Sequence, residues 1–154
     1  MLGEHGIWEK KTFFDASVGV PLIIRWPGHI EAGESAATIN QIDFLASFAA
    51  FLEVDLAPDQ GIDSRNVWPA LMGKDPVGTP LLIEEARGVA LRLENWKYIA
   101  GRGKNPGELY DLSKDIGEQE NLISSEAERA LKMKALLDSL VNDDKGVRQA
   151  LAAK

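Results

Sequence analysis

Val20-Pro21-Leu22-Ile23-Ile24-Arg25-Trp26, closed by Pro27-Gly28, is a nearly continuous apolar run. A run without period-two alternation suits a strand buried on both faces, as in a parallel sheet flanked by helices. Pro21 limits pairing only at the first positions of such a strand, where proline is tolerated. Small and polar residues follow from Glu31 to Asn40. Then Ile42, Leu45, Phe48, Ala49 and Leu52 recur at spacings of three and four, which marks an amphipathic helix. Asp43 falls near its start, where a carboxylate meets the positive end of the helix dipole. Ala57-Pro58-Asp59-Gln60-Gly61 reads as a loop, Val67 to Met72 as a short helix stopped by Gly73, and Gly73 to Gly78 as a linker.

Beyond residue 78 the pattern changes. Leu81 to Glu85, Val89 to Leu93, Trp96 to Ile99 and Leu109 to Leu112 are short runs separated by turn residues. Val89, Leu91 and Leu93 alternate with Ala90 and Arg92, as in a half-buried antiparallel strand. Glu94-Asn95 fits a tight hairpin, and Asn105-Pro106-Gly107 a longer turn. Ser125-Glu126-Ala127-Glu128 has the form of a capping box. It opens a helix whose apolar stripe is Ala130, Met133, Leu137, Leu140 and Val141. The charged tail beyond Asn142 reads as loose. The expected fold is therefore α/β: residues 1–78 form the end of an α/β sheet, and residues 79–154 a small antiparallel sheet with a C-terminal helix.

The 154 residues include 45% hydrophobic and 27% charged side chains, close to an ordinary globular composition. The net charge of −7, from 24 acidic and 17 basic residues, makes a nucleic-acid backbone a poor partner. No apolar run approaches the roughly 20 residues of a membrane helix, and no basic cluster suits an anionic bilayer. Cysteine is absent, which excludes disulfides, thiolate metal sites and a cysteine nucleophile. The first residues lack the basic and apolar regions of a signal peptide. Their abrupt, glycine-rich start reads as an internal point of a longer protein.

Leu2-Gly3-Glu4-His5-Gly6-Ile7-Trp8-Glu9-Lys10-Lys11-Thr12, followed by Val20 to Gly28, closely resembles the sulfatase family. There a Gly-Glu-His-Gly-x-Trp-x-Lys stretch commonly precedes a Val-Pro-Leu-Ile strand ending in Pro-Gly. The likeness continues through Gln41-Ile42-Asp43-Phe44-Leu45, Gly61-Ile62-Asp63-Ser64, Asn95-Trp96-Lys97-Tyr98-Ile99, and Glu108-Leu109-Tyr110-Asp111-Leu112 through Glu120-Asn121-Leu122. The ordered set covers most of residues 2 to 123.

The resemblance implies an alkaline-phosphatase-like α/β hydrolase acting on a sulfate ester. It also implies a periplasmic or secreted home. The family's nucleophile is a formylglycine made in a Cys/Ser-x-Pro-x-Arg motif, with a divalent metal, usually calcium, nearby. That motif is absent: there is no cysteine and no serine has proline two residues later. The family's metal pair normally lies just before the Leu-Gly-Glu-His-Gly segment, so no metal ligand carries over. Lys10 does, and matches the lysine that contacts sulfate oxygens. A compact ammonium suits charge moving onto a leaving oxygen. His5 is a second candidate for substrate contact; its alternative is ordering the turn that leads to Lys10.

Other residues have plainer readings. His29 reads as a solvated loop histidine. Asp111, Asp115, Glu118 and Glu120 lack the alternate ligand spacing and central glycine of a calcium loop, and read as a solvated face. Glu84-Glu85 could form a paired-carboxylate site, but no second feature supports it. Trp8, Trp26, Trp68 and Trp96 read as core or interface residues. Two rival functions stand beside the sulfatase reading: a phosphonate or phosphodiester hydrolase on the same scaffold, and a non-catalytic interaction module. An apolar strand with open edges also invites pairing with a second copy, so a homo-oligomer is expected. Light scattering over a wide concentration range checks this, and monomeric behaviour throughout would count against it.

Overall fold

The structure, a computed structural model, describes residues 1–8, 12–79 and 88–141, with the backbone of 81–85. Contacts divide the chain into two compact units. The first takes Met1–Pro21 and Leu81–Ser139, the second Leu22–Pro80 and Leu140–Lys154. The break between residues 80 and 81 lies close to the boundary read at 78, while the first 21 residues cluster with the later unit.

In the first unit, β1 (Leu81–Glu85), β2 (Val89–Leu93), β3 (Trp96–Ala100) and β4 (Gly107–Asp111) form an antiparallel sheet in sequence order. The Glu94-Asn95 hairpin sets the register Leu91↔Tyr98 and Arg92↔Lys97 between β2 and β3. The register continues as Lys97↔Tyr110 and Tyr98↔Leu109 between β3 and β4. Cross-strand partners share a face, so Leu91, Tyr98 and Leu109 point one way, and Arg92, Lys97 and Tyr110 the other. The first set is buried together with Ala130, Met133 and Leu137 of α4 (Ala127–Val141). Arg129 of α4 stacks over the Trp96 ring at 4.1 Å.

Three sequence expectations are corrected here. β2 is not half-buried, because Ala90 and Leu91 are both fully buried; each face of the sheet is covered. In the helix, Val141 is 52% exposed and drops out of the stripe. The capping-box partners are engaged elsewhere: the Ser125 hydroxyl donates to the Leu122 carbonyl, and Glu128 pairs with Lys132.

The second unit is organised by α2 (Asp43–Phe51) and α3 (Trp68–Leu71). An amphipathic helix ordinarily turns its apolar stripe inward. Here Asp43, Ala46 and Ser47 are buried, whereas Ile42, Leu45, Phe48 and Leu52 are about half exposed or more. Hydrogen bonds explain the inversion. The Asp43 carboxylate accepts from the Arg65 amide at 3.0 Å and the Thr79 hydroxyl at 2.6 Å. Ser47 donates its hydroxyl to the Asp43 carbonyl and accepts the Val67 amide. The Ala46 amide donates to Ser64. Val67, Ala70 and Leu71 then form a small core with Ile39, Phe44 and Trp68 against it. Phe51 stacks on Trp68 at 4.4 Å, and Trp26 meets both edge-on. Gly78 closes the unit through a parallel bridge to Thr38. Its φ is +68°, and a Cβ there would lie 2.3 Å from the Thr38 carbonyl oxygen, so a side chain is excluded.

The run Val20–Trp26 is not a buried strand. It belongs to no helix or strand, with Val20 64% and Ile23 89% exposed. A strand buried on both faces needs a neighbour on each side to take its amides. Among the described residues the four strands pair only with one another, within residues 81–111. No described helix is long and apolar enough to cross a membrane.

Asp43→Ala should destabilise the second unit by roughly 2–6 kcal/mol, because it orphans two donors at about 1–3 kcal/mol each. Leu137→Ala should cost the first unit about 2–5 kcal/mol through the cavity it leaves. Urea unfolding followed by tryptophan fluorescence measures both losses, and a change below about 1 kcal/mol at either position contradicts the packing described.

Candidate functional site

Lys10 lies outside the described residues; His5 does not. Gly3 to Ile7 fold into a tight turn in which the Gly6 amide donates to the Gly3 carbonyl, Ile7 to Glu4, and Gly3 to Ile7. The chain reverses by taking Gly3, His5 and Gly6 to positive φ, with His5 at +54°. Glycine takes that region freely, but a residue with a Cβ is strained there by about 1–3 kcal/mol and persists only where its surroundings hold it. The surroundings are visible. The His5 ring stacks flat on Phe14, centroids 3.7 Å apart and planes 4° from parallel. Its Nε2 lies 3.5 Å from Nε2 of Gln119.

Phe14 and Gln119 sit beside the two carboxylates of an ionic cluster that the sequence reading missed. Lys97 has no exposed surface, and its Nζ lies 2.8 Å from Oδ1 of Asp15 and 3.2 Å from Oε1 of Glu118. The Asp15 backbone amide donates to the other oxygen of Glu118 at 2.6 Å. Arg92 approaches the second Asp15 oxygen at 3.5 Å. Arg92 and Lys97 are direct cross-strand partners, and like charges so placed repel. Asp15, at the start of α1 (Asp15–Val18), lies between them, and its charge together with that of Glu118 balances the pair. Phe14 packs edge-on to Tyr110 on the same sheet face. The Tyr110 hydroxyl donates to Glu108, and burial pushes its pKa well above the usual phenol value. The signal for this cluster was present in the sequence: period two places Arg92 and Lys97 on the face opposite Leu91 and Tyr98, where two cations require anions.

The remaining candidates resolve into structural roles. Asp111 accepts from Ser113 and pairs with Lys114, Asp115 accepts the Glu120 amide, and Glu118 is buried rather than solvated. His29 is exposed and leans on Trp26 at 4.1 Å. Trp8 is 74% exposed, not a core residue. The side chains of Glu84 and Glu85 fall outside the described residues. Among the described residues no three His, Cys, Asp or Glu side chains converge. The chain has no cysteine from which a formylglycine could be made.

Burial drives the Glu118 carboxyl above the ordinary glutamate range, while the Asp15 amide and the Lys97 ammonium pull it part of the way back. A carboxyl whose folded value exceeds its unfolded value holds its proton more tightly when folded. It therefore costs stability at neutral pH, and that cost fades as pH falls toward the unfolded value. Stability of the wild type relative to Glu118→Gln should rise between pH 7 and about pH 5 in urea titrations. A fall would mean that the ammonium outweighs burial.

The profile for the C-terminal part of N-sulphoglucosamine sulphohydrolase matches residues 3–78. The chain is 29% identical to an N-acetylgalactosamine-6-O-sulfatase of Bacteroides thetaiotaomicron, over 85% of its own length and 29% of that protein's. It is 30% identical to an N-acetylglucosamine-6-O-sulfatase of the same organism, over 94% and 28%. A solved structure in complex with its substrate D-glucosamine-2-N,6-O-disulfate superposes with a TM-score of 0.70 at 26% identity, covering 94% of this chain and 33% of that one. The chain thus spans about a third of these relatives' length or less. In sequence and in fold, from the His5 turn through the four-stranded sheet to α4, this chain belongs to the sulfatase family and matches its C-terminal portion.

Proposed function

We propose that this chain supplies the Lys10 segment and the antiparallel subdomain of an enzyme that hydrolyses sulfate esters, and is inactive by itself. The observation that carries the reading is the match of residues 3–78, which begins at the His5 turn and includes Lys10. In this reading the Lys10 ammonium stabilises charge on the sulfate oxygens as the ester bond breaks. His5, held in a strained turn five residues earlier, is a further group for the same anion. In this reading the metal and the nucleophile belong to polypeptide beyond this stretch, in keeping with the absence of cysteine here.

The test is hydrolysis of a chromogenic aryl sulfate and of a 6-O-sulfated N-acetylhexosamine in calcium, with an aryl phosphate as control. The purified chain should show no turnover. A longer polypeptide that adds the nucleophile-bearing portion should hydrolyse sulfate in preference to phosphate and lose about 10²–10³-fold in kcat on Lys10→Ala. Preference for the phosphate would favour the phosphodiester reading. Turnover by this chain alone would place a different nucleophile within it.

A further inference from the structure

We propose that Lys97 is a positioning residue for the turn that carries His5. By holding Asp15 and Glu118 together, it fixes Phe14 and Gln119, two side chains that touch the His5 ring. The proposal rests on the sulfatase reading only for what the turn does, not for how it is held.

Lys97 cannot meet a substrate from solution, because none of its side chain is exposed. It does join parts of the chain that sequence keeps far apart: Asp15 is 82 residues away, and Asp15 and Glu118 are 103 residues apart. Phe14 immediately precedes Asp15 and forms the face on which the imidazole lies. Gln119 immediately follows Glu118, and its amide also donates to the Gly117 carbonyl at 2.7 Å, so it is held from its own side of the cluster. The turn's internal hydrogen bonds do not reach the sheet; they close among Gly3, Glu4, Gly6 and Ile7. Ring stacking and the Gln119 contact fix its direction, and both depend on backbone that the ion cluster pins. One buried carboxylate, a second partly exposed one and a buried ammonium make that pin stiff, since displacing either buried member leaves an uncompensated charge.

Asp15→Asn and Lys97→Met test the proposal in this chain by NMR. A ring lying flat over another at 3.7 Å feels its ring current, so the His5 imidazole protons should resonate upfield of an unstacked histidine. Either variant should shift them back toward the unstacked position. His29, which leans on Trp26 in the other unit, is the internal reference and should not move. Asp15 is partly exposed, so Asp15→Asn decides the matter if Lys97→Met does not fold. A His5 signal unchanged in folded Asp15→Asn overturns the proposal.

In the sulfate-hydrolysing polypeptide, Asp15→Asn should lower kcat roughly 10- to 100-fold, the scale of a misplaced group, with KM changed far less. It should add nothing further to His5→Ala. Independent losses in the double variant, or full activity with an unstacked His5, would overturn the role in the reaction. Absence of sulfate hydrolysis in the unmodified polypeptide would instead refute the function proposed above and leave the NMR outcome to decide the positioning.

Discussion

An ammonium group stripped of water must be repaid in counter-charge and hydrogen bonds, and in the first unit that demand shapes everything on one face of the sheet. Lys97 is fully buried and draws in Asp15 and Glu118; Arg92, its cross-strand partner, makes an anion between them necessary. The consequence is a layer of chain over a face that a four-stranded meander would otherwise leave wet. α4 covers the opposite face by ordinary apolar burial. One unit therefore uses two kinds of cohesion: non-directional packing on the helix side, and directional, charge-assisted bonds on the other. Directional bonds fix position, and the left-handed His5 turn is on the directional side.

The second unit applies the same principle without charge pairing. Asp43 and Ser47 bind the backbone of residues 65–67 and the Thr79 hydroxyl. These bonds rotate α2 so that its polar residues face inward. The apolar stripe Ile42, Leu45, Phe48 and Leu52 is left outward, and the Val20–Trp26 run lies open as well.

Those facts mark where the sequence was legible and where it was not. The four strands and the last helix were readable because their stabilisation is local: hairpin turns, period two, and a 3.6-residue stripe that finds its sheet within the same stretch. α2 was found but its inward face was not, because periodicity reports where apolar residues lie and cannot report which buried acceptors compete for that face. The strand at Val20–Trp26 was expected from composition, yet strand formation requires partners, and none of the described strands takes it. At the site, the Gly-Glu-His-Gly stretch singled out His5, whereas Lys97 passed unnoticed between Trp96 and Tyr98. Its partners lie 82 residues before and 21 after, beyond the reach of any local pattern.

The first unit is written in two separated pieces of chain, with the whole of Leu22–Pro80 between them. Asp15 leaves the ribosome 103 residues before Glu118, the acceptor of its amide. At about 5–20 residues per second of synthesis, the Asp15 amide waits on the order of 5 to 20 s for that acceptor. Helices α2 and α3 and the first hairpin emerge in that interval. Phe14 emerges soon after His5 and can stack on it early, whereas the Gln119 contact and the Lys97 cluster close only near the end of that interval.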